Sequence, residues 1–200
     1  MLRDQPTGRP STPERTVWLT RTRSPAIGPR SLAEFLLALN TADFVVSTMW
    51  VKRSYNAGRF LPEADFALES AEHSRTYGQT MADSVRIRQA RGTPLMQGLT
   101  VHITKSVCPA PTTLAKLVTS AGGTVTADVP ESTDELEVDD ALGRPKVVVI
   151  SCPKDAAEWQ HLADGRLPAV HIYNAEFIIC GCLTQTLDFT EKYKCGGLTE

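Results

Sequence analysis

The sequence has no apolar run long enough to cross a membrane and no strong excess of charge. Its 200 residues contain no uninterrupted apolar stretch of about 18 residues, so no spanning helix is predicted. The first residues lack the apolar segment of a secretory signal. The formal net charge is −2, so the charge of the whole chain indicates neither a nucleic acid nor a membrane as partner. Membrane association and direct nucleic-acid binding are therefore not expected.

Cysteines are few, and their spacing fits neither a disulfide framework nor a zinc site. Five cysteines, an odd number, are typical of reduced thiols in an intracellular protein. Cys180 and Cys182 form C-x-C and not the C-x-x-C of zinc and redox sites. We therefore interpret them as small buried hydrophobes and expect no metal site.

Catalytic motifs are also missing. The chain has no G-x-G-x-x-G and no P-loop, so no cofactor is expected. Cys152 follows a predicted buried strand, where nucleophiles are often found. The Cys-x5-Arg cradle of phosphatases nevertheless fails, because position 158 is Glu. His102, His161 and His171 have no Asp or Cys partners by spacing. We predict no catalytic residue and no enzymatic activity, and we keep thiol chemistry at Cys152 as the rival hypothesis.

One segment of the chain occurs twice, and the rest can be arranged around it. The later copy, from His171 to Leu183, reads as the end of a buried strand, a cap and an apolar helix. The earlier copy lies 127 residues before it, from Phe44 to Leu61. This shift matches cap with cap and anchor with anchor: Ser47 with Asn174, Trp50 with Phe177, and Phe60 with Leu187. An internal repeat of this kind predicts a duplicated unit.

The N-terminal part has a composition that does not form a core. Residues 1 to 30 hold five prolines and six arginines against one Asp and one Glu. Residues 1–16 are predicted to be a disordered arm, although an Arg-rich arm contacting phosphates remains the alternative. Val17–Thr20 can form a short strand. Ser31 and Glu34 then form a predicted capping box, followed by one apolar helix face that ends at Asn40: Leu32, Phe35, Leu36 and Leu39.

The remaining elements alternate between strand and helix. Residues 62–97 are predicted to be a linker with one helix, which contains Met81 and Val85 and ends near Gly92. The predicted strands of the second unit are Leu99–Thr104, Thr124–Thr126, Val147–Ser151 and Ala169–Ile172. Its predicted helices contain Leu114 to Ala121, Ala156 to Leu162 with Trp159, and Phe177, while 128–140 is read as an exposed acidic loop. The order β-α-β-β-α-β-α indicates an α/β fold with a parallel sheet.

These residues resemble a tandem pair of BRCT repeats over about residues 17 to 190. The resemblance rests on Trp50, on Ala121-Gly122-Gly123, on the Val147–Ser151 strand and on the Phe177 helix. It implies two repeats, each with a small four-stranded parallel sheet flanked by helices, the first lacking its N-terminal half. The predicted boundaries are 1–16 for the arm, 17–61 for the partial first repeat, 62–97 for the linker, 98–190 for the second repeat and 191–200 for a tail.

The family resemblance also implies a function. BRCT pairs read phosphoserine or phosphothreonine peptides in nuclear DNA-damage signalling and carry no catalytic activity. The implied partner is therefore a protein or phosphoprotein peptide of chromatin and DNA-damage signalling, the implied location is the nucleus, and we expect a monomer. In such pairs a three-helix interface joins the repeats. Here the resemblance implies that the Ser31–Leu39 helix packs on the Leu114–Ala121 and Phe177 helices.

The residues that bind phosphate in this family are not clearly kept. The family uses a Ser or Thr and a backbone N–H at the end of the first strand, with a Lys early in the second helix. Here the Lys position is Glu34, of the wrong charge. Thr104 ends the first strand of the second repeat and is interpreted as structural. A phosphate-independent protein-binding module therefore remains the alternative function.

The family's specificity pocket lies between the repeats. Matching positions in this sequence are Arg30 or Ser31, before the second helix of the first repeat, and Pro153, after the third strand of the second. Arg30 could clamp a carboxylate. We take these three residues as the candidate peptide-binding site. A further hypothesis is that the chain is a fragment, a splice product or a gene-model truncation, whose upstream sequence supplies the missing strand and helix.

Overall fold

The structure is a computed structural model that describes residues 17–20, 29–68, 71–127, 138–139, 144–158 and 171–195. For several residues at the ends of these ranges, among them Arg30 and Ser31, it describes only the backbone. The helix predicted with Trp159 and the strand residues before His171 lie outside the described parts, as does most of the acidic 128–140 segment.

The first unit is a two-stranded parallel sheet with two helices. Its elements are β1 (Val17–Thr20), α1 (Pro29–Thr41), β2 (Phe44–Ser47) and α2 (Met49–Asn56). Val45 and Val46 of β2 are buried, as is Trp50 of α2, whose indole Nε1 donates to the Leu61 carbonyl at 2.8 Å. The strand at Val17 and the Trp50 anchor are therefore as predicted.

The linker is more structured than the sequence suggested. A 3-10 turn (Glu63–Phe66) is followed by two helices, α3 (Ala71–Tyr77) and α4 (Met81–Arg91). The prediction of one helix was wrong, because α3 buries only His73 and has no apolar periodicity to detect. The helix α4 begins at a capping box formed by Thr80 and Asp83. It ends at Gly92, which has a left-handed backbone.

The second unit is a four-stranded parallel sheet in the order β4-β3-β7-β8. The elements in chain order are β3 (Thr100–Ile103), α5 (Pro111–Ser120), β4 (Thr124–Thr126), β5 (Val138–Asp139), β6 (Arg144–Pro145), β7 (Val147–Ile150), β8 (His171–Tyr173) and α6 (Glu176–Thr184). All four residues of β7 are buried, as expected for a central parallel strand. The α/β fold with a four-stranded parallel sheet is therefore confirmed for this unit. The 128–140 prediction needs one correction, because β5 pairs with β6 in an antiparallel ribbon.

Helix α1 joins the two units by packing on both α5 and α6. Leu36, Ala38 and Leu39 of α1 are at most 1% exposed and belong to the same hydrophobic cluster as Leu117 and Ile178. The three-helix interface implied by the family resemblance is therefore present. A helix that belongs to the first unit by sequence completes the core of the second.

Two predicted helix starts behave differently. The capping box at Ser31 was wrong: α1 already begins at Pro29, so Ser31 lies inside the helix. Proline favours the first helical position, because its fixed φ suits a helix and it has no N–H to leave unpaired. At α6 the prediction holds in substance, since Asn174 Oδ1 accepts a hydrogen bond from the Glu176 N–H at 2.9 Å.

The second unit extends beyond the boundary predicted at residue 190. Tyr193 is buried, and its carbonyl accepts a hydrogen bond from Asn174 N at 2.8 Å. The Cys195 N–H likewise donates to the Ile172 carbonyl at 2.9 Å. Residues 191–195, predicted to be a tail, therefore pack on the end of the sheet. Among the described helices, none is long and apolar enough to span a bilayer.

Candidate peptide-binding site

The three predicted pocket residues come from two elements at the joint between the units. Arg30 and Ser31 form the first turn of α1, where only their backbone is described. Pro153 is exposed and opens a 3-10 turn (Pro153–Asp155) just after β7. Glu34, one turn further along α1, is exposed. That Arg30, Ser31 and Pro153 share one pocket stays a prediction.

The end of β3 carries a hydroxyl and a backbone N–H, the two groups with which the family holds phosphate. Thr104 follows β3 and is 3% exposed, and its Oγ1 donates to Ser151 Oγ at 3.0 Å. The Ser106 N–H donates to Asp155 Oδ2 at 2.7 Å. A carboxylate of the chain itself therefore already accepts the hydrogen bond that an external anion would need.

The charges around this strand end are also paired internally. Hydrogen bonds from Ser106, then from Thr104, with a smaller effect of the Lys105 charge, hold the pKa of the Asp155 carboxyl below its usual range despite its burial. Lys105 Nζ itself forms an ion pair with Glu158. The arrangement at Thr104 thus stabilises the β3–β7 end of the sheet, in agreement with the structural role predicted for that residue.

At the opposite end of the joint, polar side chains hold the helix C-termini together. Asn40, near the end of α1, donates to Ser120 Oγ of α5 at 2.9 Å. Gln185, just after α6, donates to Asn40 Oδ1 and to the Cys182 carbonyl, both at 2.9 Å. Arg91 donates to the Gln185 carbonyl at 2.8 Å and to Gln185 Oε1 at 2.9 Å. Cations and amide donors near helix C-termini satisfy carbonyls that lack intrahelical partners.

A groove of about 280 Å³ opens beside this cluster. Its walls include Arg88, Arg91 and Gln185, but the two guanidinium groups point into protein carbonyls. Arg88 donates to the Ala42 carbonyl at the end of α1, and Arg91 donates to Thr93 and Gln185. These arginines therefore join helices, and their donors are largely used within the chain.

The thiols show no sign of an activated nucleophile or metal site. In the described part of the chain, no three His, Cys, Asp or Glu residues are grouped so that they could hold a metal ion. Burial raises the pKa of the Cys182 thiol to about 11, partly countered by its hydrogen bond with Asn40. Cys152 is half-buried and extends the β7 strand end. Burial of Cys180 and Cys182, predicted from their spacing, is confirmed.

Sequence reasoning missed Asp155 and Gln185. An Asp two residues after a proline that opens a helical turn is a local signal of a helix start, so the position of Asp155 could have been noticed. Its partner Ser106 lies on another loop, and no local pattern reveals that pairing. Gln185 gives no signal at all, because its backbone is left-handed (φ 56°), a conformation more common for glycine or asparagine.

A family model described as BRCT domain matches residues 94–194. Among curated proteins, the chain is 30% identical over 162 residues to PAX-interacting protein 1 of Bos taurus, covering 80% of this chain and 16% of that protein. It is 27% identical over 156 residues to Mediator of DNA damage checkpoint protein 1 of Homo sapiens, covering 78% of this chain and 7% of that protein. The chain thus spans a small part of these relatives. The resemblance predicted from the sequence is confirmed.

Solved structures with similar folds are tandem repeats of the same kind. The BRCT5-BRCT6 domains of S. pombe Brc1 superpose with a TM-score of 0.66 at 19% identity, over 88% of this chain and 95% of that one. Rtt107p, in a complex with a phosphorylated histone, superposes with a TM-score of 0.50 at 11% identity, over 80% and 69% of the two chains. At such identities the likeness shows the fold alone.

Proposed function

Because the chain belongs to the BRCT-domain family, we propose that it is a non-catalytic protein-interaction module of the DNA-damage response that acts in the nucleus. Its partner would be a peptide of a chromatin or damage-signalling protein, bound at the joint between the repeats. The observation that carries this proposal is the packing of α1 on α5 and α6, which fuses the two units into one body. The relatives' printed names and the phosphorylated histone bound by Rtt107p support the same partner class.

The candidate contact residues are Arg30, Ser31 and Pro153. Arg30 supplies a guanidinium that can bind a carboxylate or phosphate through two parallel hydrogen bonds. Pro153 is exposed beside the strand end and offers an apolar contact. We expect one chain to bind one peptide, without participation of nucleic acid.

Two observations favour phosphate-independent binding as the second candidate function. Glu34 stands where the family places its phosphate-binding Lys, and it is exposed. A carboxylate at that position repels a phosphate dianion. The strand-end N–H of the second repeat, at Ser106, is already taken by Asp155. Neither observation weakens the interaction role, but both argue against phosphate as its main determinant.

The test is a titration of the whole chain with matched phosphorylated and unphosphorylated peptides. The peptides would be the phosphorylated tail of the histone that Rtt107p binds and its unphosphorylated twin, followed by calorimetry. Preference for the phosphorylated form would support peptide reading as in the family. Equal affinity for both forms would assign phosphate-independent binding, and no binding of either would remove this class of partner.

Substitution at two positions shows which residues make the contact. Arg30→Ala is expected to weaken binding about tenfold. Glu34→Lys, on an exposed helix position, is expected to raise the preference for the phosphorylated peptide. Lys116→Ala, which removes a cation from α5, is the matched control and is expected to leave the affinity unchanged.

A further inference from the structure

The two copies of the repeated segment differ in what covers them. In the second unit, β7 pairs with β8 on one edge and with β3 on the other, both in parallel, and α6 packs against α5. By the internal repeat, β1 and β2 correspond to β7 and β8, and α2 corresponds to α6. Within the described residues, β1 pairs with β2 alone. The first unit therefore keeps the surfaces on which a β3-like strand and an α5-like helix would sit.

The side chains at those surfaces are exposed in the first unit and buried in the second. Val51 is 44% exposed and Tyr55 86%, whereas their counterparts Ile178 and Cys182 are completely buried. Leu19 of β1 is 44% exposed, whereas its counterpart Ile150 is completely buried. We call Leu19, Val51, Tyr55 and Phe60 the open face, since Phe60 is also 81% exposed.

The open face is not the result of a poorly packed helix. Trp50, the anchor of α2, is only 8% exposed, close to the 1% of its counterpart Phe177. The Phe60 ring stacks on Trp50 with 5.5 Å between centroids. The residues from Trp50 to Phe60 line a groove of about 580 Å³. The exposed apolar surface is thus fixed on an ordered element, as in helix-binding grooves.

The charge around the groove limits what can fill it. The segment from Met49 to Phe60 contains Lys52, Arg53 and Arg59 and no carboxylate. All three cations are exposed. Two copies of this face placed against each other would bring like charges together, whereas a segment with acidic flanks would be attracted. This excludes a second copy as the preferred occupant.

We propose that the open face binds a strand–helix segment of a partner polypeptide. An apolar strand pairs in parallel with the free edge of β1, and the amphipathic helix that follows it packs over Val51 and Tyr55 between acidic flanks. The chain shows the form of this segment in its own second unit, where β3 and α5 make the same two contacts. The surface lies away from the candidate residues Arg30 and Pro153, so binding here does not depend on a phosphate.

A patterned peptide library tests the proposal. Its members copy the length and the apolar positions of Thr100–Ser120, with the remaining helix positions drawn from Asp, Glu and Ala. Selection is against the immobilised full chain, and fluorescence anisotropy gives the affinities. We expect selected peptides to bind with one-to-one stoichiometry and to slow hydrogen exchange at the β1 amides. Tyr55→Glu should weaken them at least about tenfold.

Control variants keep the result specific to this face. Val125→Glu alters another exposed apolar residue, on β4, and should leave peptide affinity unchanged. Tyr55 is so exposed that Tyr55→Glu should fold normally, which circular dichroism checks. The same variant should not alter binding of the histone peptides at the joint between the repeats.

Three outcomes would overturn the proposal. One is no enrichment over a library whose apolar positions are replaced by Ser. Another is binding that ignores Tyr55→Glu. The third is concentration-dependent dimerisation of the chain that Tyr55→Glu abolishes, which would assign the face to a second copy.

Discussion

Gln185 donates a hydrogen bond to Asn40 at 2.9 Å, although the two residues are 145 positions apart in the chain. Gln185 is 1% exposed, and the same side chain also accepts from Arg91. Each repeat therefore contributes a part of one polar cluster at the end of the three-helix interface. The cluster fixes how the helix ends sit against each other, whereas apolar packing alone tolerates some sliding.

This relationship predicts strong energetic coupling between the two residues. Asn40→Ala and Gln185→Ala should each destabilise the fold, because each leaves buried polar groups without a partner. The double variant should lose less than the sum, with a coupling energy of about 1–2 kcal/mol. Urea unfolding of the four proteins measures this. Gln89→Ala, an exposed side chain on α4, is the control, and strict additivity at positions 40 and 185 would contradict the prediction.

Phe177 should be one of the most costly residues to truncate. It is 1% exposed and stacks on Tyr173 with 4.4 Å between ring centroids. Phe177→Ala is expected to lower the free energy of unfolding by about 3–5 kcal/mol. Tyr55→Ala, at an exposed aromatic of the other repeat, should change it by less than about 0.5 kcal/mol. Thermal or chemical denaturation compares the two, and similar losses would show that Phe177 is not a core anchor.

Asp155 should make stability depend on pH in the acid range. Its folded pKa lies below the ordinary Asp value of about 3.9, because Ser106 and Thr104 hydrogen-bond to the carboxylate. The charged form therefore stabilises the fold fully above the unfolded pKa, and this contribution is lost as the pH falls through the folded pKa. Asp155→Asn should be less stable than the parent chain at pH 7, with the difference shrinking below about pH 4. A difference that does not vary with pH would contradict this assignment.

The second repeat should fold without the first. Leu95 and Met96 belong to its core, and the Met96 N–H donates to the Ala121 carbonyl at 2.8 Å. A cut must therefore fall before Pro94. We expect residues 94–200 to melt cooperatively but at a lower temperature than the whole chain, because α1 no longer covers α5 and α6. Residues 1–93 should show no cooperative transition in calorimetry. Loss of cooperative melting in the longer fragment would contradict the prediction.

The cysteines should differ widely in reactivity. Cys108 is exposed and should alkylate first in the native protein, whereas the buried Cys182, with a pKa of about 11, should label only on unfolding. Mass spectrometry after timed iodoacetamide treatment follows each site. Labelling of Cys152 that is stoichiometric and faster than that of Cys108 would revive the thiol-chemistry hypothesis.

Local patterns predicted most of the fold, and contacts between distant residues account for what they missed. The apolar run at Val147 and the periodic face around Leu36 record burial directly, so the strand and the helix could be located. The helix α3 could not, because it buries one polar residue and shows no pattern. The start of α1 was misplaced, since Ser31 looks like a cap but Pro29 already sets the helical backbone.

The candidate site was less predictable for the same reason. Matching positions to a known family located Glu34 and Pro153, and both are exposed as a contact residue must be. The closure of the strand end by Asp155 depends on a loop that approaches from 49 positions away. No spacing in the sequence encodes such an encounter.

The position of α1 has a consequence for how the protein is made. A ribosome releases this helix well before α5 and α6, the two helices that bury its apolar face. Until residue 184 has emerged, Leu36 and Leu39 cannot reach their final neighbours, and the nascent chain presents a hydrophobic helix without cover. Late-forming contacts of this kind slow folding and expose chains to aggregation. Production of the protein should therefore depend on chaperones that hold the N-terminal half during synthesis.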